Sequence, residues 1–188
     1  MSSSLKVSVA TPIQPIPYGC GFYQTEEEAL YVQLGGIFGS QRFFSFIDSS
    51  ISRFDLDRQG RLLFFELACP KRRWQVVEEI MIPEVVEPAD IRWLNFRKKI
   101  KEPELFTDQN YSKLLIKLSD KDPVKNYYLS HSIILQVSKN NLATRILINE
   151  IVDDTGGKKI AEFRRQLSGK NSTAEPDRSI GSNLPASS

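Results

Sequence analysis

The sequence is poor in the side chains that most often carry metal and redox chemistry. Its 188 residues include one histidine and two cysteines, which excludes His-rich and Cys-rich metal sites and a disulfide framework. No apolar run reaches the length of about 18 residues that a membrane-spanning helix needs. The chain has no phosphate-binding loop, dinucleotide-binding fingerprint or nucleophile elbow. These absences predict a protein that is not an enzyme, uses no cofactor and does not cross a membrane.

Neither sign of charge dominates. Lys and Arg total 25 against 23 Asp and Glu, so the formal net charge is +2, and a uniformly basic nucleic-acid binder is not indicated. The length of 188 residues predicts one ordinary domain or two very small ones, and the 40% of hydrophobic residues can form a packed core. Residues 1–10 lack the layout of a secretory signal, so we expect reduced thiols and a cytoplasmic location.

Composition divides the chain into an arm, a hydrophobic region and a polar tail. Pro12, Pro15 and Pro17 predict an extended N-terminal arm over 1–21, because a proline biases the residue before it away from helix. The Ser-, Asn- and Pro-rich stretch 169–188 predicts a disordered tail, since it can bury little apolar surface. Between them we expect a first β unit at 22–68, a connecting segment at 69–110, and a second β unit with a C-terminal helix at 111–168.

Two stretches of the chain show the same order of strands and turns. The apolar alternation at 30–34 corresponds to that at 114–118. Further along, the turn at 59–60 corresponds to Asn140-Asn141, and the interval from strand to turn is nearly the same in both stretches. This spacing predicts an internal duplication; the alternative is that any two β-meanders yield similar patterns.

Helical periodicity is limited to short segments. Ile160, Phe163 and Leu167 predict a C-terminal helix, and the apolar positions of 76–81 predict another that ends at Pro83. Residues 90–100 fit either a strand or a helix. The sequence therefore predicts an α+β, β-rich fold in which two related antiparallel β-meander units pack together, with a short C-terminal helix.

The first unit resembles a small bacterial domain family of unknown function. Residues 23–32, Tyr-Gln-Thr-Glu-Glu-Glu-Ala-Leu-Tyr-Val, match that family's opening, Tyr-Asp-x-Glu-Ala-Asp-x-Leu-Tyr-Ile. The family's following hairpin pattern is matched by Asp55, Asp57, Gly60, Glu66 and Leu67. The resemblance covers 23–68, with a degenerate second copy at 111–151. It implies a β-hairpin fold and a similarity to antitoxin-like partners in bacterial gene pairs.

One segment also has the spacing of an EF-hand calcium loop. Asp55, Asp57, Gln59 and Glu66 occupy positions one, three, five and twelve, with Gly60 at six. The helical spacing of apolar residues in 44–54 fits the helix that precedes such a loop. The alternative is a plain β-hairpin turn, which we favour because Pro70 falls where the following helix would begin.

An unusual density of aromatic residues points to binding. A single thin hairpin cannot bury all of the phenylalanines around 38–65, so some of them are expected on a surface for a protein partner or for self-association. The candidates are Phe43, Phe44 and Phe46.

Three basic clusters give the alternative, a nucleic-acid-associated protein. They lie at 71–73, 97–101 and 158–165. If they converge on one face with Trp74, Trp93 or Phe96, they can grip phosphates and stack bases. The cationic candidates are Arg72, Arg73, Arg97 and Lys98; solvated faces and helix-end charges are the other explanation.

Overall fold

The computed structural model describes residues 4–34 and 43–167; the predicted tail at 169–188 lies outside the described residues. A 3-10 helix spans Lys71–Arg73. The elements confirm the predicted α+β, β-rich class. In chain order they are β1 (Val7–Ala10), β2 (Gly19–Gln24), β3 (Ala29–Leu34), β4 (Ser45–Asp48), β5 (Ser52–Leu56), β6 (Leu62–Leu67), β7 (Gln75–Val76), β8 (Glu87–Pro88), β9 (Asp90–Trp93), β10 (Lys98–Lys99), β11 (Glu104–Thr107), β12 (Leu114–Lys117), β13 (Lys125–Ser130), β14 (Ile133–Val137), β15 (Ala143–Ile148), β16 (Ile151–Asp153) and α1 (Lys158–Leu167).

Two seven-stranded sheets share one architecture. The first has the order β10-β4-β5-β6-β3-β2-β16 and the second β8-β13-β14-β15-β12-β11-β7. In each sheet an antiparallel pair is followed by a three-stranded meander, whose last strand returns to the second strand of the pair. A short strand lies parallel along each edge. β1 and β9 form a separate antiparallel ribbon.

The pairing registers of the two sheets match as the sequence alignment predicts. Leu30 in β3 lies opposite Leu67 in β6, and Leu114 in β12 lies opposite Ile148 in β15. The alignment of 30–34 with 114–118 equates Leu30 with Leu114. The offset that relates Gly60 to Asn141 likewise equates Leu67 with Ile148. The pair Leu30–Leu67 of the first sheet therefore corresponds to the pair Leu114–Ile148 of the second.

The hairpin turns correspond as well. The amide of Gly60 donates to the carbonyl of Asp57 at 3.1 Å, and the amide of Asn141 donates to the carbonyl of Ser138 at 3.0 Å. Both turn residues have left-handed backbones, with φ of 82° and 55°. Asparagine tolerates this conformation better than most residues, so Asn141 can replace glycine in the second turn.

Each half of the chain supplies an edge strand to the sheet of the other half. β7 follows β6 of the first sheet but pairs with β11 of the second; β16 follows β15 of the second sheet but pairs with β2 of the first. The two hairpin turns also bond to the β1–β9 ribbon. The carbonyl of Gly60 accepts from the amide of Trp93 in β9 at 2.7 Å, and that of Asn141 accepts from Val7 in β1 at 2.9 Å.

The inner faces of the two sheets share one hydrophobic core. Phe54 and Phe65 contribute from the first sheet, and Leu135 and Ile146 contribute from the second. All four are almost completely buried, and the rings of Phe54 and Phe65 lie 5.2 Å apart. Face-to-face packing gives each sheet an apolar cover that an isolated small sheet lacks.

Different segments cover the two outer faces. Ile160 and Phe163 of α1 are buried against the first sheet, whereas Ile80 packs against Ile134 and Leu147 of the second. The C-terminal helix is thus confirmed, although the side chain of Leu167 lies outside the description. Within 4–34 and 43–167, no helix has the length and apolarity needed to cross a membrane.

The helix predicted over 76–81 is wrong. Val76 belongs to β7, and the amide of Val77 donates to the carbonyl of Thr107 at 2.9 Å. Pairing with the open edge of β11 satisfies these backbone groups, so tertiary context overrides the local periodicity. Residues 90–100 form β9 and β10, and the predicted connecting segment contributes the strands β7 to β11.

Gly60→Ala tests the turn that holds the β1–β9 ribbon. A Cβ atom on Gly60 would lie 2.5 Å from the carbonyl oxygen of Trp93, in addition to the cost of its positive φ. We expect the variant to lose about 2 kcal/mol or more of unfolding free energy, measured by urea denaturation. Asn141→Ala is the matched control and should lose about 1 kcal/mol or less, because asparagine already carries a Cβ there. Equal losses would contradict this explanation.

Candidate functional site

The two tryptophans are core residues. Both side chains are buried. The indole Nε1 of Trp74 donates to the carbonyl of Cys69 at 3.3 Å, and the ring of Trp93 lies 6.4 Å from that of Phe54. Trp93 shares the inward face of β9 with Ile91. Buried rings cannot stack on a base or a partner, so the binding role predicted for Trp74 and Trp93 is wrong.

Acidic residues pair with cations in two of the basic clusters. Arg164 of α1 contacts the carboxylate of Glu27 through two nitrogens, at 2.9 and 3.0 Å. Arg72 contacts Glu28 of the same acidic turn. The predicted clusters at 71–73 and 158–165 thus contain ion-paired cations, whereas the cluster at 97–101 has no ion pair with a described residue. The arginine–glutamate pairs are Arg164–Glu27, Arg72–Glu28 and Arg73–Glu102.

An exposed group of aromatic and cationic side chains lies beside the first sheet. We call it the aromatic–arginine surface; its members are Phe44, Arg58, Leu94, Phe96 and Arg97. The ring centres of Phe44 and Phe96 are 5.6 Å apart. The guanidinium carbon of Arg58 lies 5.3 Å from the centre of the Phe44 ring, and that of Arg97 lies 5.2 Å from the centre of the Phe96 ring. Phe44, Leu94 and Phe96 are 44%, 56% and 57% exposed.

Backbone hydrogen bonds bring these segments together. The amide of Phe44 donates to the carbonyl of Leu56 at 2.8 Å and extends the β4–β5 pairing. The amide of Arg97 donates to Oγ of Ser45 at 3.0 Å. Arg97 has a φ of 45°, which is costly for a residue with a long side chain. Such backbone strain is a recognised feature of functional sites, and here it lies at the residue that places a cation over an exposed ring.

The two arginines of this surface keep their positive charge uncompensated. Among the described residues neither Arg58 nor Arg97 forms an ion pair, whereas Arg53, Arg61 and Arg92 each pair with an aspartate. An exposed guanidinium above an aromatic ring retains donors for an incoming carboxylate or phosphate. The surface can therefore bind an anionic group and an apolar group side by side.

Only some of the predicted binding residues meet here. Phe44 and Arg97 belong to the surface, and Lys98 follows directly, with its Nζ donating to the carbonyl of Ser4 at 3.0 Å. The ring centres of Phe43 and Phe64 are 6.3 Å apart, and the guanidinium carbon of Arg53 lies 4.5 Å from the centre of the Phe46 ring. Phe43 and Phe46 therefore belong to the outer face of the first sheet. Sequence reasoning missed Arg58, because no sequence pattern places it against the ring of Phe44. It also missed Leu94, because no sequence pattern predicts that this leucine is exposed.

The segment with EF-hand spacing is a β-hairpin. Residues 44–54, expected to form a helix in the calcium reading, include β4 and most of β5. Oδ1 of Asp57 accepts from the amides of Gln59 and Arg61 at 2.8 and 2.9 Å, so this carboxylate serves the turn. Asp55 instead accepts from Nε of Arg53 at 3.0 Å. In the described parts of the chain, no group of three or more His, Cys, Asp and Glu is placed to hold a metal ion.

The outer face of the first sheet carries carboxyl groups with shifted pKa values. Burial raises the pKa of Asp55, and burial together with the charge of Glu27 raises the pKa of Glu66. Hydrogen bonds from Arg164 and from the hydroxyl of Tyr31 lower the pKa of Glu27. The side chain of Glu27 thus joins β3 to α1 and holds the helix over the aromatic residues beneath it.

No protein-family model matches this chain, and no curated protein shows significant similarity to it.

Glu27→Gln tests the pair that fixes α1. The pKa of Glu27 is lower in the folded state than its ordinary value of 4.5. The stability that ionised Glu27 contributes is therefore complete above pH 4.5 and is lost as the pH falls through the folded-state pKa. At neutral pH we expect a loss of about 0.5–1 kcal/mol, because the pair is largely exposed.

The measurement is the melting temperature of the variant and of the wild type at neutral pH and well below the ordinary pKa of a glutamate. The difference between them should shrink in acid. We compare the two proteins at each pH because Asp55 and Glu66 also titrate. Their pKa values are raised in the folded state, so acid stabilises the variant and the wild type through these two groups, opposite to its effect through Glu27. A difference that is independent of pH would contradict the role of the ionised Glu27.

Proposed function

We propose that this protein is a non-enzymatic protein-binding module that engages its partner through the aromatic–arginine surface. The observation that carries the proposal is a pair of exposed rings, Phe44 and Phe96, each with a guanidinium at its face that has no ion-pair partner among the described residues. Aromatic and arginine side chains dominate the energetics of protein interfaces. The complementary partner presents carboxylates next to apolar side chains.

Nucleic-acid association is the second candidate, and residues 97–101 favour it. This stretch has four cations and no acidic residue, and it adjoins the ring of Phe96. The weight is against it because Trp74 and Trp93 are buried and because Glu27 and Glu28 occupy cations of the other two clusters. A long phosphate track is therefore less well supported than a compact protein contact.

The resemblance of 23–68 to a bacterial domain family supports an immunity-like or antitoxin-like role in a bacterial cytoplasm. Cys20 and Cys69 are both free thiols, in keeping with a reducing compartment. We also infer that the two sheets arose by internal duplication. Their common strand order and the matching registers of β3–β6 and β12–β15 support this origin.

Replacement of the surface side chains should abolish partner capture. The test compares wild type, the double variant Phe96→Ala/Arg97→Glu and the control Val124→Ala, an exposed apolar residue elsewhere, as affinity baits in extracts of the native host. Loss of an aromatic and an arginine anchor should weaken the complex at least about 30-fold, which corresponds to about 2 kcal/mol. Co-purified proteins are quantified by mass spectrometry at low and high salt.

The result expected is a protein partner that wild type and Val124→Ala retain at high salt and that the double variant loses. Equal retention by all three baits would contradict the assignment of the surface. Recovery of nucleic acid alone, with an affinity that falls steeply with salt, would replace the leading proposal with the second candidate.

A further inference from the structure

A second exposed patch lies on the other half of the molecule. Residues 78–87, which we call the glutamate segment, have the sequence Glu-Glu-Ile-Met-Ile-Pro-Glu-Val-Val-Glu. The segment has four glutamates, all exposed, and no basic residue. Between these glutamates, Met81 and Val85 are 75% and 70% exposed. Apolar and acidic side chains therefore alternate along one short stretch of surface.

The fold holds the glutamate segment in place. Ile80 is buried against Ile134 and Leu147 on the outer face of the second sheet. Nδ2 of Asn126 donates to the carbonyl of Val85 at 3.1 Å, and the chain continues into β8, which pairs with β13. A segment anchored by buried side chains, a side-chain hydrogen bond and a strand loses little conformational freedom when a partner binds.

The glutamate segment and the aromatic–arginine surface carry opposite charges, and these charges have no ion-pair partners among the described residues. None of the four glutamates forms an ion pair with any described residue, and neither do Arg58 and Arg97. On one side exposed phenylalanines lie beside guanidinium groups; on the other, exposed aliphatic side chains lie beside carboxylates. Each patch has the chemistry that the other requires of a partner.

We infer that the protein self-associates, with the aromatic–arginine surface of one copy docked on the glutamate segment of a second copy. This inference rests on the proposed function, because it names the partner of the same surface. The two patches differ, so the contact is head-to-tail: each associated pair of copies leaves one surface of each kind free to continue the assembly. Salt screens the opposite charges at the contact, so the association weakens as the salt concentration rises, while the contribution of the apolar side chains remains.

Charge reversal provides the test on the full chain. One variant is Arg58→Glu/Arg97→Glu, and the other is Glu79→Lys/Glu84→Lys. Each removes the opposition of net charge across the contact and places like charges at the changed positions, so neither variant should associate alone. An equimolar mixture restores opposite charges and should associate. Lys139→Glu, an exposed charge reversal elsewhere, is the control and should behave as wild type.

Sedimentation velocity, from micromolar to hundreds of micromolar protein at low and high salt, gives the readout. We expect wild type and the control to form oligomers at low salt, with a dissociation constant at least about 10-fold lower than that of either reversed variant alone. Circular dichroism confirms that each variant is folded. Association by either reversed variant at the wild-type level, or failure of the mixture to associate, would overturn the inference.

The outcomes separate self-association from the proposed function. Wild type that stays monomeric at low salt and high concentration overturns self-association. The proposed function survives that result if Phe96→Ala/Arg97→Glu still loses a different protein from the host extract. Conversely, self-association of Phe96→Ala/Arg97→Glu at the wild-type level would remove support from both the docking inference and the proposed function.

Discussion

An exchange of edge strands between the two halves of the chain joins the two sheets into one fold. β7 leaves the first half to pair with β11, and β16 leaves the second half to pair with β2. Together with the face-to-face packing of the two sheets, this exchange covers edges that would otherwise expose unpaired backbone groups. The two halves are therefore interdependent, and the β1–β9 ribbon tied to both hairpin turns adds a further link between them.

The two sheets have one topology and different exteriors. The first carries α1 and the aromatic–arginine surface, and the second carries the glutamate segment. The shared inner core fixes where each sheet lies, so differences in the loops and outer faces do not disturb it. The residues around Phe96 and around Met81 lie in the parts where the two halves differ.

Local patterns predicted those parts of the fold that local physics determines. The alternation at 30–34 and 114–118 and the turns at Gly60 and Asn141 predicted the correspondence that the registers show. The helical spacing of Ile160 and Phe163 predicted α1. By contrast, the apolar spacing of 76–81 indicated a helix, but the available edge of β11 paired with that stretch instead. The site was harder still, because contact between Phe44 and Phe96 depends on long-range packing that no spacing encodes.

Hydrogen–deuterium exchange of the free and partner-bound protein shows directly whether the partner binds at the aromatic–arginine surface. The turn at 57–60 and the loop at 94–97 should gain protection on binding, since they supply Arg58, Leu94, Phe96 and Arg97. Protection confined to other parts of the chain, with these two segments unchanged, would contradict binding at this surface.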